Sequence, residues 1–188
     1  MDTAERLIAG MQELLWERGY VGTSPRAIQQ RADVGQGSMY HHFTGKPDLA
    51  GAAIRRSAAD LRALASAELD GPGSAFDRIA AYLRRDRDVL RGCRVGRLTQ
   101  DPDVVATPEL RAPLEETLGW LRERLAGLLA EGIAAGEFAR DLDPDDVART
   151  LVAVVQGGYV LARAADDPDE FRRAVNGALA LLAAARSE

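Results

Sequence analysis

Gly35-Gln36-Gly37-Ser38-Met39-Tyr40-His41-His42-Phe43-Thr44-Gly45-Lys46 contains both histidines and the single lysine of a 188-residue chain. Elsewhere positive charge is carried by arginine alone. Just upstream, Thr23-Ser24-Pro25 is a helix start, with Ser24 as N-cap and Pro25 at the first helical position. That helix runs to about Ala32 and points Ile28 and Ala32 inward. Asp33-Val34-Gly35 makes a tight turn with Val34 packed inward. A second helix then covers Gln36 to His42, with Met39 and Phe43 inward. Two helices and a turn within about 18 residues have the size of a helix-turn-helix, whose second helix enters the major groove.

Outward from this core, Asp2 and Glu5 have capping-box spacing at the start of a first helix. Leu7, Ile8, Met11, Leu14 and Leu15 form its apolar stripe, and Gly19 ends it. Tyr20 and Val21 are expected to pack into the small core. Gly45-Lys46-Pro47 opens a long helix marked by Leu49, Ile54, Leu61 and Leu64, reaching about Leu69. Asp70-Gly71-Pro72-Gly73-Ser74 is the clearest break in the chain. Beyond it, helices are expected over 75–91, near 95–104, and over 108–135, 144–164 and 168–186. Thr107-Pro108, Asp143-Pro144 and Asp167-Pro168 repeat the cap-then-proline start, and Gly136 closes the 108–135 helix. No useful strand alternation occurs, so the expected fold class is all-α.

Composition narrows the function. Hydrophobic residues make up 46% of the chain and aromatics only 5%, which favours helices over sheets. One cysteine, Cys93, cannot form an internal disulfide. With Asp2, Glu5 and Arg6 in the first ten residues no signal peptide is expected, and no apolar run approaches the roughly 20 residues of a membrane span. The expected location is the cytoplasm. The net charge of −5 argues at first against nucleic acid. Its distribution matters more: from Gly19 to Gly45 the only carboxylate is Asp33, against Arg26 and Arg31. DNA binding needs a local positive face. So weak a basic signal predicts phosphate contacts by hydroxyls, backbone amides and helix N-termini.

The chemistry of the second helix suits base edges. Gln36 can pair with adenine through two hydrogen bonds. Gly37 lets the backbone approach DNA closely, and Ser38 offers a hydroxyl. Tyr40 and His41 place polar tips on rigid rings along the exposed side, while His42 packs or caps. Lys46 can join the free amides of the next helix in clamping a phosphate. Adjacent histidines on a helix point about 100° apart and do not readily share an ion. No metal and no cofactor are expected. A Gly-x-Ser-x-Gly elbow, a phosphate loop and metal-ligand spacing are all missing, so no catalytic residues are assigned and the chain is not expected to be an enzyme.

The pattern Gly19-Tyr20, Thr23-Ser24, Ile28, Ala32-Asp33-Val34, Gly37-Ser38-Met39-Tyr40-His41-His42-Phe43, Lys46 and Leu49 resembles the DNA-binding head of the TetR family of bacterial regulators over roughly the first 50 residues. The resemblance implies a homodimer. A helix-turn-helix domain would cover 1–46 and an effector-binding and dimerisation domain 47–188, with pairing through the last two long helices. It implies DNA contacts from Ser24, Arg26, Gln36, Gly37, Ser38, Tyr40, His41 and Lys46. Asp33 stands where a glycine is common, and aspartate tolerates that turn. Gln29 replaces a usual small alanine. Gly92-Cys93-Arg94-Val95-Gly96-Arg97-Leu98 is similar to a Gly-Cys-x-x-Gly-Asn-Leu segment of one branch of the family, with Arg97 in place of the asparagine. That resemblance suggests a cysteine near the effector pocket.

The expected function is a ligand-responsive transcriptional repressor on a palindromic DNA operator, released by a small hydrophobic or aromatic effector. Tyr82, Cys93, Trp120, Phe138, Gln156 and Tyr159 are the candidate effector residues, as the exceptions on otherwise aliphatic helices. Gly157-Gly158 either allows close approach at a dimer seam or opens room for a ligand; the seam is favoured. The alternatives are a helical small-molecule-binding or interaction protein that has lost DNA binding, and a helical enzyme built on a buried carboxylate cluster.

Overall fold

The computed structural model describes residues 2–187, the side chain of Gln36 excepted. Its elements are α1 Thr3–Arg18, α2 Pro25–Ala32, α3 Gln36–His42, α4 Lys46–Leu69, α5 Ala75–Arg84, a 3-10 turn Gly96–Gln100, α6 Pro102–Ala106, α7 Pro108–Ala134, α8 Pro144–Ala165 and α9 Pro168–Ala184. One isolated backbone bridge, Phe138 to Arg186, is the only extended pairing among the described residues. The fold is all-α. Among the described residues, no helix is long and apolar enough to cross a membrane.

Two compact units emerge. Unit 1 comprises residues 1–61 and 93–117, and unit 2 comprises 62–92 and 118–188. The division cuts α4 after Leu61 and α7 after Thr117. In unit 1, Leu7, Met11, Leu14, Ile28, Met39, Leu49 and Ile54 are removed from solvent, together with Val95, Leu98 and Val104. Each such side chain contributes about 2 kcal/mol through burial. Gly10 lets α1 and α2 close up, since a Cβ there would meet the Ala32 backbone nitrogen at 3.3 Å. In unit 2, Ile79, Leu83, Leu125, Phe138, Val155, Phe171 and Leu179 are buried. The Gly132 position accommodates Phe138, whose ring edge would lie 2.5 Å from an added Cβ.

The proline-marked starts form as expected. Asp143 accepts from the Asp145 and Asp146 amides, and Asp167 from the Asp169 amide. Four expectations change. Asp2 caps α1 through the Thr3 amide, but Glu5 turns to Arg56 on α4 instead of closing a capping box. The expected 75–91 helix stops at Arg84. There Arg87 folds back and donates to the Tyr82, Leu83 and Arg85 carbonyls, satisfying groups that a further turn would have used. The expected 95–104 helix divides into a 3-10 turn and α6, because Pro102 has no amide with which to continue. Val21 and Leu64, expected inward, are 57% and 58% exposed.

Candidate nucleic-acid interface

The helix-turn-helix is built by local chemistry. The Ser24 hydroxyl accepts from the Ala27 amide at 3.2 Å and starts α2. Asp33 ends α2 in the left-handed conformation, φ 52° and ψ 55°, one of the few non-glycine residues suited to it. Gly35 then leads into α3. Two arginines that sequence reasoning assigned no role brace this arrangement. Arg6 of α1 donates from Nε to the Ala32 carbonyl at 2.9 Å and from Nη2 to the Asp33 carbonyl, satisfying the end of α2. Arg31 forms a two-pronged pair with Glu17 at 2.8 and 3.0 Å, so it is engaged within the protein.

With Ile28, Ala32 and Met39 buried, the opposite side of the motif faces outward. Ser24, Arg26, Gly37, Tyr40 and His41 are exposed, and Ser38 is half-buried. Gln36 occupies the first position of α3, but its side chain lies outside the described residues. Nothing stands within 4 Å of a Cβ added at Gly37, so the protein itself leaves that space open. His42 is exposed, with its ring edge-on to His41 at 5.0 Å between centroids. Its expected packing role is absent.

Lys46 behaves differently from a free basic side chain. Its ammonium lies 3.9 Å from the centre of the Tyr20 ring. Burial lowers its pKa, against the pull of Asp103 and Asp101. Asp48, in the first turn of α4, accepts from the Thr44 amide at 3.0 Å and takes a donor that a phosphate could have used.

Residues 93–101 form a clasp within unit 1 that the sequence did not reveal. Arg94 pairs with Glu13 at 2.7 Å and lies 3.9 Å over the Trp16 ring. Arg97 donates to the Trp16 and Glu17 carbonyls at the end of α1. Asp101 accepts from the Tyr20 and Val21 amides at 2.7 and 3.0 Å. The segment recognised by its cysteine thus works largely through its arginines. Cys93 is buried, and its Sγ accepts from the Gly96 amide at 3.2 Å.

The description "Bacterial regulatory proteins, tetR family" matches residues 2–53, and "Tetracyclin repressor-like, C-terminal domain" matches residues 73–178. The chain belongs to the TetR family. It is therefore a DNA-binding transcriptional regulator. It is 31% identical to the transcriptional regulator AcuR of Cereibacter sphaeroides, over 88% of this chain and 78% of that one. It is 29% identical to the HTH-type transcriptional repressor DhaR of Mycobacterium sp. strain GP1, over 93% and 91%. A TetR regulator structure from Chloroflexus aurantiacus superposes with a TM-score of 0.88 at 26% identity, covering 98% of this chain and 96% of that one.

Two of the six candidate effector residues come together around one guanidinium. Tyr82 and Tyr159 are both buried beside Arg87 in unit 2. Gln156 is half-buried on α8, and the half-buried Trp120 lies 6.0 Å from the Arg62 guanidinium. Phe138 is fully buried, and Cys93 belongs to unit 1. The glycine pair separates as well. A Cβ at Gly158 would meet Phe171 of α9 at 2.9 Å, whereas Gly157 opens onto a surface groove.

Proposed function

We propose that this regulator is a homodimeric cytoplasmic repressor that reads a palindromic operator through α3 and is not an enzyme. Residues 1–46 make up its reading domain and 47–188 its effector-binding and dimerisation domain. The observation that carries the reading is the division of α3 between a buried Met39 and an outward row of Gly37, Tyr40 and His41. The resemblance to a regulator named as a repressor supports the direction of control. Ser24, Arg26, Gln36, Ser38 and Lys46 complete the contact set. Two copies of α3 would lie in successive major grooves about 34–36 Å apart. An effector binding more tightly to a dimer with another spacing would release the DNA by population shift.

The second copy is assigned to the α8 and α9 surface. A groove of about 480 Å³ runs between these helices, lined by residues such as Val154, Gly157, Leu161, Ala174 and Leu181. Leu161 and Leu181 are 52% and 76% exposed. So much apolar surface on one face marks an interaction site, and a two-fold partner presents the same face in return.

A gel shift on the DNA upstream of the adjacent gene tests the reading. The expected affinity falls steeply as salt rises. Replacing Gln36, Tyr40 and Lys46 together with alanine is expected to abolish the shift; retained binding overturns the assignment. Leu181→Glu is expected to give monomers by analytical ultracentrifugation, and an unchanged dimer removes α9 from the interface.

A further inference from the structure

Just after α5, Arg85 and Arg87 are half-buried and lie beside aromatic rings of unit 2. Arg87 points back into the unit, with its Cζ 5.2 Å from the Tyr82 ring centre and 5.5 Å from that of Phe171. Tyr159 stacks on Phe171 at 4.8 Å. The Arg85 guanidinium lies 5.8 Å from the Tyr82 ring centre. Although acidic residues outnumber basic ones 29 to 24 in the chain, none of the groups that act electrostatically on the Arg87 guanidinium is a carboxylate. Burial lowers the pKa of Arg87, and Arg85 adds to the effect; the opposing influences come from Tyr159 and Tyr82 alone.

We propose that Arg87, framed by Tyr82, Tyr159 and Phe171, anchors the carboxylate of an effector whose apolar tail lies along these rings. The inference rests on the regulator reading and specifies the chemistry of its ligand. A guanidinium has five N–H donors. Nη1 serves the Leu83 and Arg85 carbonyls and Nη2 the Tyr82 carbonyl, at 2.9, 2.8 and 2.6 Å. Capping α5 accounts for these bonds. It leaves Nε, which is shielded from solvent and has no partner. Nε shares an edge with Nη2, the edge on which arginine holds both oxygens of a carboxylate. A half-buried guanidinium whose Nε is shielded and unpartnered is costly, and an incoming anion offsets that cost. The Arg85 Nε is likewise shielded and unpartnered, which adds a second positive charge to the same cluster. The effector is accordingly an aliphatic or aromatic acid, not a neutral hydrophobe.

Calorimetry on DNA-free protein with hexanoate and benzoate, each against its amide, tests the proposal. At least one acid is expected to bind, with its amide weaker by about tenfold or more. Arg87→Lys keeps the charge but loses the flat fork, and is expected to weaken the acid by about tenfold or more. If that variant fails to fold because α5 loses its cap, Arg85→Gln decides, with a loss of about threefold or more expected from the missing charge. The proposal is overturned if neither acid binds, if amide and acid bind equally, or if the folded variant binds as the parent does. Operator binding is measured separately without acid, so failure of the regulator reading would show there and not here.

Discussion

Asp101 and Tyr20, 81 positions apart, are joined by a hydrogen bond of 2.7 Å from the Tyr20 amide to the Asp101 carboxylate. The same oxygen accepts from Val21, and the other carboxylate oxygen caps α6 through the Val104 amide at 3.4 Å. One side chain thus closes the α1–α2 turn and starts α6. Gly19 is suited to this approach, because its φ of 75° favours glycine and a Cβ would lie 2.8 Å from the carboxylate. Asp101→Ala is expected to destabilise the protein by about 2 kcal/mol, since buried amides lose their acceptor. Chemical denaturation measures the loss; a change below about 0.5 kcal/mol contradicts this account.

Gly37 separates stability from DNA affinity. Because the space around it is open, Gly37→Ala is expected to preserve the fold and raise helix stability by up to about 1 kcal/mol. Operator affinity is expected to fall, since the added methyl occupies space needed for close approach to DNA. A melting curve beside a gel shift checks both; lower thermal stability with intact binding contradicts the prediction.

The left-handed conformation of Asp33 sets an order of stability. Asp33→Ala is expected to cost about 1 kcal/mol, while Asp33→Gly should at least equal the parent. Both leave the backbone carbonyl that Arg6 uses. Urea titration of the three proteins gives the order directly.

Lys46 is held partly inside the protein, where burial outweighs the attraction of its carboxylate neighbours and lowers its pKa. The sign follows: protonation favours the unfolded chain, so removing the charge relieves the fold. Lys46→Met is expected to melt at or slightly above the parent temperature near neutral pH. Its operator complex should lose salt dependence by about one phosphate contact. An unchanged salt slope removes Lys46 from the interface.

The Glu5–Arg56 pair predicts a pH effect. Arg56 holds the Glu5 carboxyl below its ordinary value of 4.5. The contribution of the pair is therefore fully present above 4.5 and lost as pH falls through the lower folded-state value. Glu5→Gln is expected to melt slightly below the parent at neutral pH, with the difference closing under acid. A difference that persists unchanged at low pH assigns the effect to packing.

Much of the fold was legible because its signals are local. Ser24-Pro25, Asp143-Pro144 and Asp167-Pro168 begin helices through groups only two or three residues apart. Asp101-Pro102 carries the same signal, and it would have separated α6 from the preceding turn. Val21 in its turn and Leu64 on its helix were misplaced because apolar character identifies a candidate without showing whether a neighbour covers it. Arg31 counted only toward the local charge balance, and the structure pairs it with Glu17 of α1.

The chain by itself determined the helix-turn-helix, the order of the helices and the outward chemistry of α3, since caps, prolines and apolar spacing act over a few residues. Tertiary structure alone decided that Arg6 closes α2, that residues 93–101 clasp the end of α1, and that Arg87 turns inward among aromatic rings. Those contacts depend on which segments folding brings together. For the clasp they join residues about 80 positions apart, where hydrogen-bond geometry is fixed by packing and local sequence pattern carries no record of it.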